Sequence, residues 1–92
     1  MTKHIDGKPK IELVEPDFII EVAKVLTHGA NRYGVEDWKN TENARNEYYG
    51  AAQRHLLAYR KGKTASPEGF SHLAHAAANI MFLHWIERGG DD

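Results

Sequence analysis

The chain contains no cysteine. That excludes disulfides, thiolate zinc sites and cysteine nucleophiles, and it fits a reducing compartment. It has no excess of either charge: 12 Lys and Arg stand against 13 Asp and Glu, a formal net charge of −1. No bulk basic field is available for duplex nucleic acid or an anionic membrane. No apolar run approaches the ~20 residues that span a bilayer, and His84, Glu87 and Arg88 interrupt the longest candidate. The opening MTKHIDGKPK is polar, without the apolar stretch of a signal peptide. A cytoplasmic protein with no membrane partner is therefore expected. There is no P-loop, no G-x-G-x-x-G, no adjacent His-Asp pair, no internal repeat and no low-complexity segment.

What is present is one domain, 1–92, of globular composition, with 41% hydrophobic and 27% charged residues. A chain this short buries a modest core, so a further subunit is a natural source of stability. Residues 1–15 read as an extended arm, with a short extended piece over Ile11–Val14. Pro16 suits the first turn of a helix, where its missing N–H costs nothing. Phe18, Ile19, Val22, Val25 and Leu26 then recur with helical period. Gly29 is expected to stop that helix, with His28 in its last turn. A turn-rich connector, Asn31–Asn40, follows. Thr41 reads as the N-cap of a second helix running to about Lys61. Ser66, Pro67 and Glu68 read as the start of a third, running to about Arg88. The fold class is all-α, a bundle of three main helices plus an arm. From Leu73 to Ile86 the last helix is apolar or small on nearly all sides. Such a helix is enclosed all round, so the bundle is expected to be completed by oligomerisation.

The polar residues on those helices carry the functional reading. His72, His75 and Asn79 stand at i, i+3 and i+7 on one helix face. They supply donors and acceptors suited to phosphate, ribose hydroxyls or a base edge; they equally suit a buried network that satisfies itself. Arg54 and His55 belong to the preceding helix. Arg54 has the planar fork that matches phosphate oxygens, and it could instead pair with Glu47 or Asp37. Lys8 and Lys10 flank Pro9 in an arm that could close over an anion or lie solvated. Arg32, Tyr33 and Trp38 in the connector could stack on a base beside a phosphate, or plug the end of the bundle. Together they point to a small phosphorylated nucleotide, bound in pockets between the subunits of a homo-oligomer. Metal-dependent phosphoryl chemistry needs converging carboxylates, and the acids here are scattered. Glu12 and Glu15 have E-x-x-E spacing only ahead of Pro16. No metal ligand is assigned from the residues alone.

Four blocks, DGKPKIELVEP, VAKVLTHGANRYGVEDW, AAQRHLLAYRKG and SHLAHAAANIMFL, together resemble the phage and bacterial family of dATP/dGTP diphosphohydrolase N-terminal domains. Some members of that family look like MazG-type all-helical nucleoside triphosphate pyrophosphohydrolases. The resemblance runs from about Asp6 to Leu83. It implies an all-α fold, oligomeric assembly, a purine nucleotide ligand and a phage origin. Such domains usually carry an acidic stretch of the type G-E-D-x-D-x-E-S-G after the helix ending in R-H-L-L-A. Here the stretch runs from Gly62 to Gly69, keeps only Glu68 and reverses a charge at Lys63. That pattern suits binding without cleavage: a sponge that sequesters a nucleotide immune signal, such as a cyclic dinucleotide or a cyclic ADP-ribose isomer, to block host anti-phage defence. The alternative is a Mg²⁺- or Mn²⁺-dependent dATP/dGTP diphosphohydrolase releasing pyrophosphate. Its charge stabilisers would be Arg54 and His72, its metal ligands Glu21, Glu47 and Glu68. A structural helical oligomer is the third reading.

Overall fold

Three helices and two short 3-10 turns make up the computed structural model, which describes residues 7–90. Among these residues there is no strand, only an isolated antiparallel bridge between Ala65 and Ser71. Residues 1–6 of the expected arm, and Asp91 and Asp92, lie outside the described residues.

Ile11–Leu13 forms a 3-10 turn rather than an extended piece. Helix α1 spans Pro16–Tyr33. Glu15 caps it, its carboxylate accepting from Asp17 N at 2.8 Å. Gly29 does not end it. A glycine inside a helix costs only ~1 kcal/mol, and the periodic apolar positions hold the helix on to Gly34. There φ is 111° and the Gly34 N–H bonds to the Ala30 carbonyl at 2.8 Å, a conformation that favours glycine.

A second 3-10 turn, Asp37–Asn40, fills the connector before helix α2, Ala44–Arg60. Thr41 is not the cap. Asn43, in the left-handed region at φ 56°, holds that position without a side-chain bond. The Thr41 hydroxyl is instead engaged by Tyr48, Oγ1 to Oη 2.6 Å. Helix α3, His72–Glu87, starts later than Ser66 and Pro67 suggest. Gly69, at φ 93°, reverses the chain where a helix would have to continue. Ser66 closes this loop: its N–H bonds to Phe70 O at 2.8 Å, and its Oγ accepts from Phe70 N at 3.3 Å. The cap of α3 is Ser71, whose Oγ accepts from Ala74 N at 3.1 Å.

α3 packs along α2 and, more lightly, against α1. Among the described residues the buried apolar ones are Ala52, Ala74, Ala76, Ala78 and Ile86, with no large side chain fully enclosed. Alanines let helices approach closely but bury little area, so the core is thin. The radius of gyration, 15.3 Å, exceeds the ~12 Å of a fully compact chain of this length. α3 is enclosed by its own chain on only part of its circumference: Ile80 is 52% exposed, and Leu73 and Met81 are also exposed. Phe18, Ile19 and Ile20 on α1 are likewise open. Among the described residues no helix is long and apolar enough to cross a membrane.

Candidate functional site

A cleft of about 760 Å³ opens between the C-terminal half of α1, the connector and α3. Its walls are largely apolar: Val25, Leu26 and Ala30 from α1, Val35 from the connector, Ala78, Met81 and Phe82 from α3. The expected residues Arg32, Tyr33, Trp38, His75 and Asn79 all line it, as does Glu68. A smaller cavity of about 480 Å³ lies across Trp38, bordered by Lys39, Arg45 and Trp85. The larger cleft combines aromatic rings, imidazoles and an amide, and is the better candidate for a nucleotide.

Trp38 is held from several sides. Its ring stacks on Phe82 at 4.5 Å and meets Trp85 edge-on at 5.1 Å. The Tyr48 hydroxyl donates to the Trp38 carbonyl at 2.6 Å, so Thr41 Oγ1 donates in turn to Tyr48. The tryptophan thus plugs the end of the bundle and still offers a flank to the cleft. Tyr33 is 63% exposed, with the Arg32 guanidinium 5.1 Å from its ring centroid. This pair sits at the end of α1, an aromatic face beside a cation.

The inner wall is polar. His28 of α1 also lines the cleft, a residue that sequence reasoning missed. Its position three residues after Val25, on the apolar face of α1, was the available signal. Its ring lies 5.2 Å from Phe70, which lies 6.0 Å from His75. The Nε2 atoms of His28 and His75 are both sealed from solvent and have no hydrogen-bond partner. Burial pushes the His75 pKa down, while the Glu68 carboxylate opposes that shift. Glu68 is fully exposed; the Ser66 hydroxyl holds its pKa below the ordinary value. Asn79 is 8% exposed, and its amide nitrogen donates to the His75 carbonyl at 2.8 Å.

The other expected residues lie elsewhere. His55 and His72 face each other across α2 and α3, Nδ1 to Nδ1 2.9 Å. His55 also stacks flat on His75, centroids 4.2 Å apart at 3°. Burial, then repulsion from His75 and His72, brings the His55 pKa from 6.5 to about 4. Arg54 is exposed, its guanidinium lying over Gly50, where an added Cβ would sit 3.1 Å from Nη1. Neither Arg54 nor His72 belongs to the cleft wall. Lys8 and Lys10 are exposed, on the segment before the first 3-10 turn. Glu21 is engaged by Lys24 at 3.0 Å, Glu47 is exposed on the first turn of α2, and Glu68 is on the loop before α3. Among the described residues no group of three or more His, Asp or Glu side chains is arranged to hold a metal ion. Within one copy, over the described residues, Glu21, Glu47 and Glu68 do not gather into such a group.

Fold and cleft define a small all-helical domain with one aromatic- and imidazole-walled pocket. The profile of the family described as "dATP/dGTP diphosphohydrolase, N-terminal" matches residues 1–92, and the chain belongs to that family. It is similar to a protein of Salmonella phage PMBT28 named dATP/dGTP diphosphohydrolase, 36% identical over 85 residues. That match covers 91% of this chain and 29% of the phage protein, so the chain spans less than a third of its relative's length. No solved structure matches.

Proposed function

We propose that this domain binds a phosphorylated purine nucleotide in the α1–connector–α3 cleft. The observation that carries the reading is the composition of that cleft. An aromatic and apolar wall receives a base, His28 and His75 line the cleft and each keeps an unpartnered ring nitrogen, and Arg32 stands at the end of α1. The name of the phage relative supports dATP or dGTP as the ligand class. In this reading a second copy covers the exposed apolar residues of α1 and α3, a large exposed patch being unusual on a free domain.

Once bound, the nucleotide meets one of two fates. Sequestration of a nucleotide signal, cyclic or linear, is favoured by the placement of Glu21, Glu47 and Glu68, which do not gather into a metal site. Hydrolysis to monophosphate and pyrophosphate agrees with the name of the relative and needs carboxylates brought from a second copy or from further sequence.

The experiment incubates the purified protein with dATP, dGTP, cyclic dinucleotides and cyclic ADP-ribose in the presence of Mn²⁺. Protein is then removed by filtration, heat-denatured, and both fractions are separated by liquid chromatography. A nucleotide depleted from solution and released intact supports sequestration. Conversion to monophosphate and pyrophosphate supports the enzyme. Neither retention nor conversion at 100 μM, a threshold of about −5.5 kcal/mol, overturns nucleotide binding.

A further inference from the structure

Asn79 is a buried amide on α3, beside the buried Ala78 and about one turn after the buried Ala76. Asparagine is a poorer helix former than alanine, and a buried amide carries a desolvation cost unless its atoms are paired. Its Nδ2 is used within the helix, on the His75 carbonyl. A carbonyl oxygen only accepts, so the group facing it must be the NH₂. This fixes the amide orientation and leaves Oδ1 as the free end. Oδ1 has no partner among the described residues. Nor is it sealed off: the unpartnered side-chain atoms closed to solvent are the His28 and His75 Nε2 atoms. An open acceptor on a side chain that is otherwise more than nine-tenths buried therefore faces the cleft that Asn79 lines.

We infer that Asn79 is the base reader of this cleft, its Oδ1 accepting a hydrogen bond from an exocyclic amino group of a purine. The inference rests on the proposed nucleotide binding and adds the group that discriminates. The neighbouring histidines cannot supply that discrimination alone, because an imidazole nitrogen donates or accepts according to its tautomer. The amide oxygen accepts only, and its direction is set by the bond its own nitrogen makes. A base without a donor at that place leaves Oδ1 desolvated and unpaired. This is how a polar site rejects an analogue lacking one group.

The test titrates the wild-type protein with three deoxynucleoside triphosphates on one scaffold. Bare purine carries no donor on its pairing edge, adenine adds a 6-amino group, and 2-aminopurine adds a 2-amino group. At least one amino-bearing ligand is expected to bind about 10-fold or more tightly than bare purine, and which one does so identifies the edge that is read. In Asn79→Leu, of similar volume, that preference is expected to vanish, with folding checked by circular dichroism. If the variant fails to fold, the wild-type comparison decides by itself. Bare purine binding as tightly as both amino-bearing ligands overturns the role of Asn79 and leaves nucleotide binding standing. No binding by any of the three, nor by dGTP, overturns both.

Discussion

Acid should unfold this domain through its histidines before its carboxylates. His55 is pressed against α3, stacked on His75 and bonded to His72. In an Nδ1–Nδ1 bond one ring donates and the other accepts, so a proton on the accepting nitrogen leaves two donors facing each other and breaks the bond. The His55 pKa is brought from 6.5 to about 4 in the folded chain. Between those values the unfolded chain binds more protons than the folded one. Stability is therefore fully present above the unfolded pKa and is lost as pH falls through that window. Each tenfold change in proton affinity is worth ~1.4 kcal/mol, which sets a ceiling of roughly 3 kcal/mol. Solvent screening of a partly exposed ring reduces this to about 1–2 kcal/mol. His75, also lowered by burial, adds with the same sign. The Ser66 hydroxyl shifts Glu68 downward, away from the window. With no large side chain fully buried among the described residues, such a loss is a substantial share of the total, since domains are stable by only ~5–15 kcal/mol. Urea midpoints are to be measured from pH 7.5 to 4.5 for the wild type and for His55→Gln. The expected result is a loss of about 1–2 kcal/mol in the wild type and a clearly shallower slope in the variant. A flat wild-type profile, or equal slopes in both proteins, would refute the reasoning.

Ser71→Ala should lower stability by about 1 kcal/mol, because Ser71 and not Ser66 caps α3; thermal melting, at ~4–8 °C per kcal/mol for a domain of this size, reads the difference. Tyr33→Ala removes a ring that is 63% exposed, so its melting temperature should hardly move, while affinity for the preferred purine nucleotide falls by ~5- to 150-fold, the usual worth of one stacked base. A Tyr33→Ala protein that binds the nucleotide as tightly as the wild type would place the base elsewhere in the cleft.

The helices were legible where one residue's chemistry decides. Pro16 opens α1, and the recurrence of Phe18, Ile19, Val22, Val25 and Leu26 gives its period. The boundaries were not legible where two residues of the same type compete. Gly29 reads as the stop, yet of the two glycines only Gly34 has the positive φ that a cap needs. Ser66 reads as the cap, although Ser71 is a residue of the same type five positions on. The choice falls to Ser71 because Gly69 turns the chain back and the Ala65–Ser71 bridge closes the loop beneath the helix. Local patterns do not encode that closure, since it depends on where the loop meets itself.

The site was legible in part for a related reason. Arg54 and His55 are adjacent in sequence, but successive residues on a helix diverge by ~100°. His55 turns to α3 and Arg54 turns away to lie over Gly50. His72, His75 and Asn79 do share a side of α3, yet that side is met by two neighbours. His72 falls to α2, Asn79 to the cleft, and His75 to both. Its ring face stacks on His55, while its Nε2 stands unpartnered among residues that line the cleft. The histidine cluster and the cleft therefore hold one imidazole in common. A ligand that engages His75 changes the ring on which His55 is stacked, and a proton taken up by His55 changes the charge seen from the cleft. If the cleft binds the proposed nucleotide, acid stability and ligand affinity are linked through a single side chain, a coupling that neither the spacing of the histidines nor the composition of the helix faces reveals.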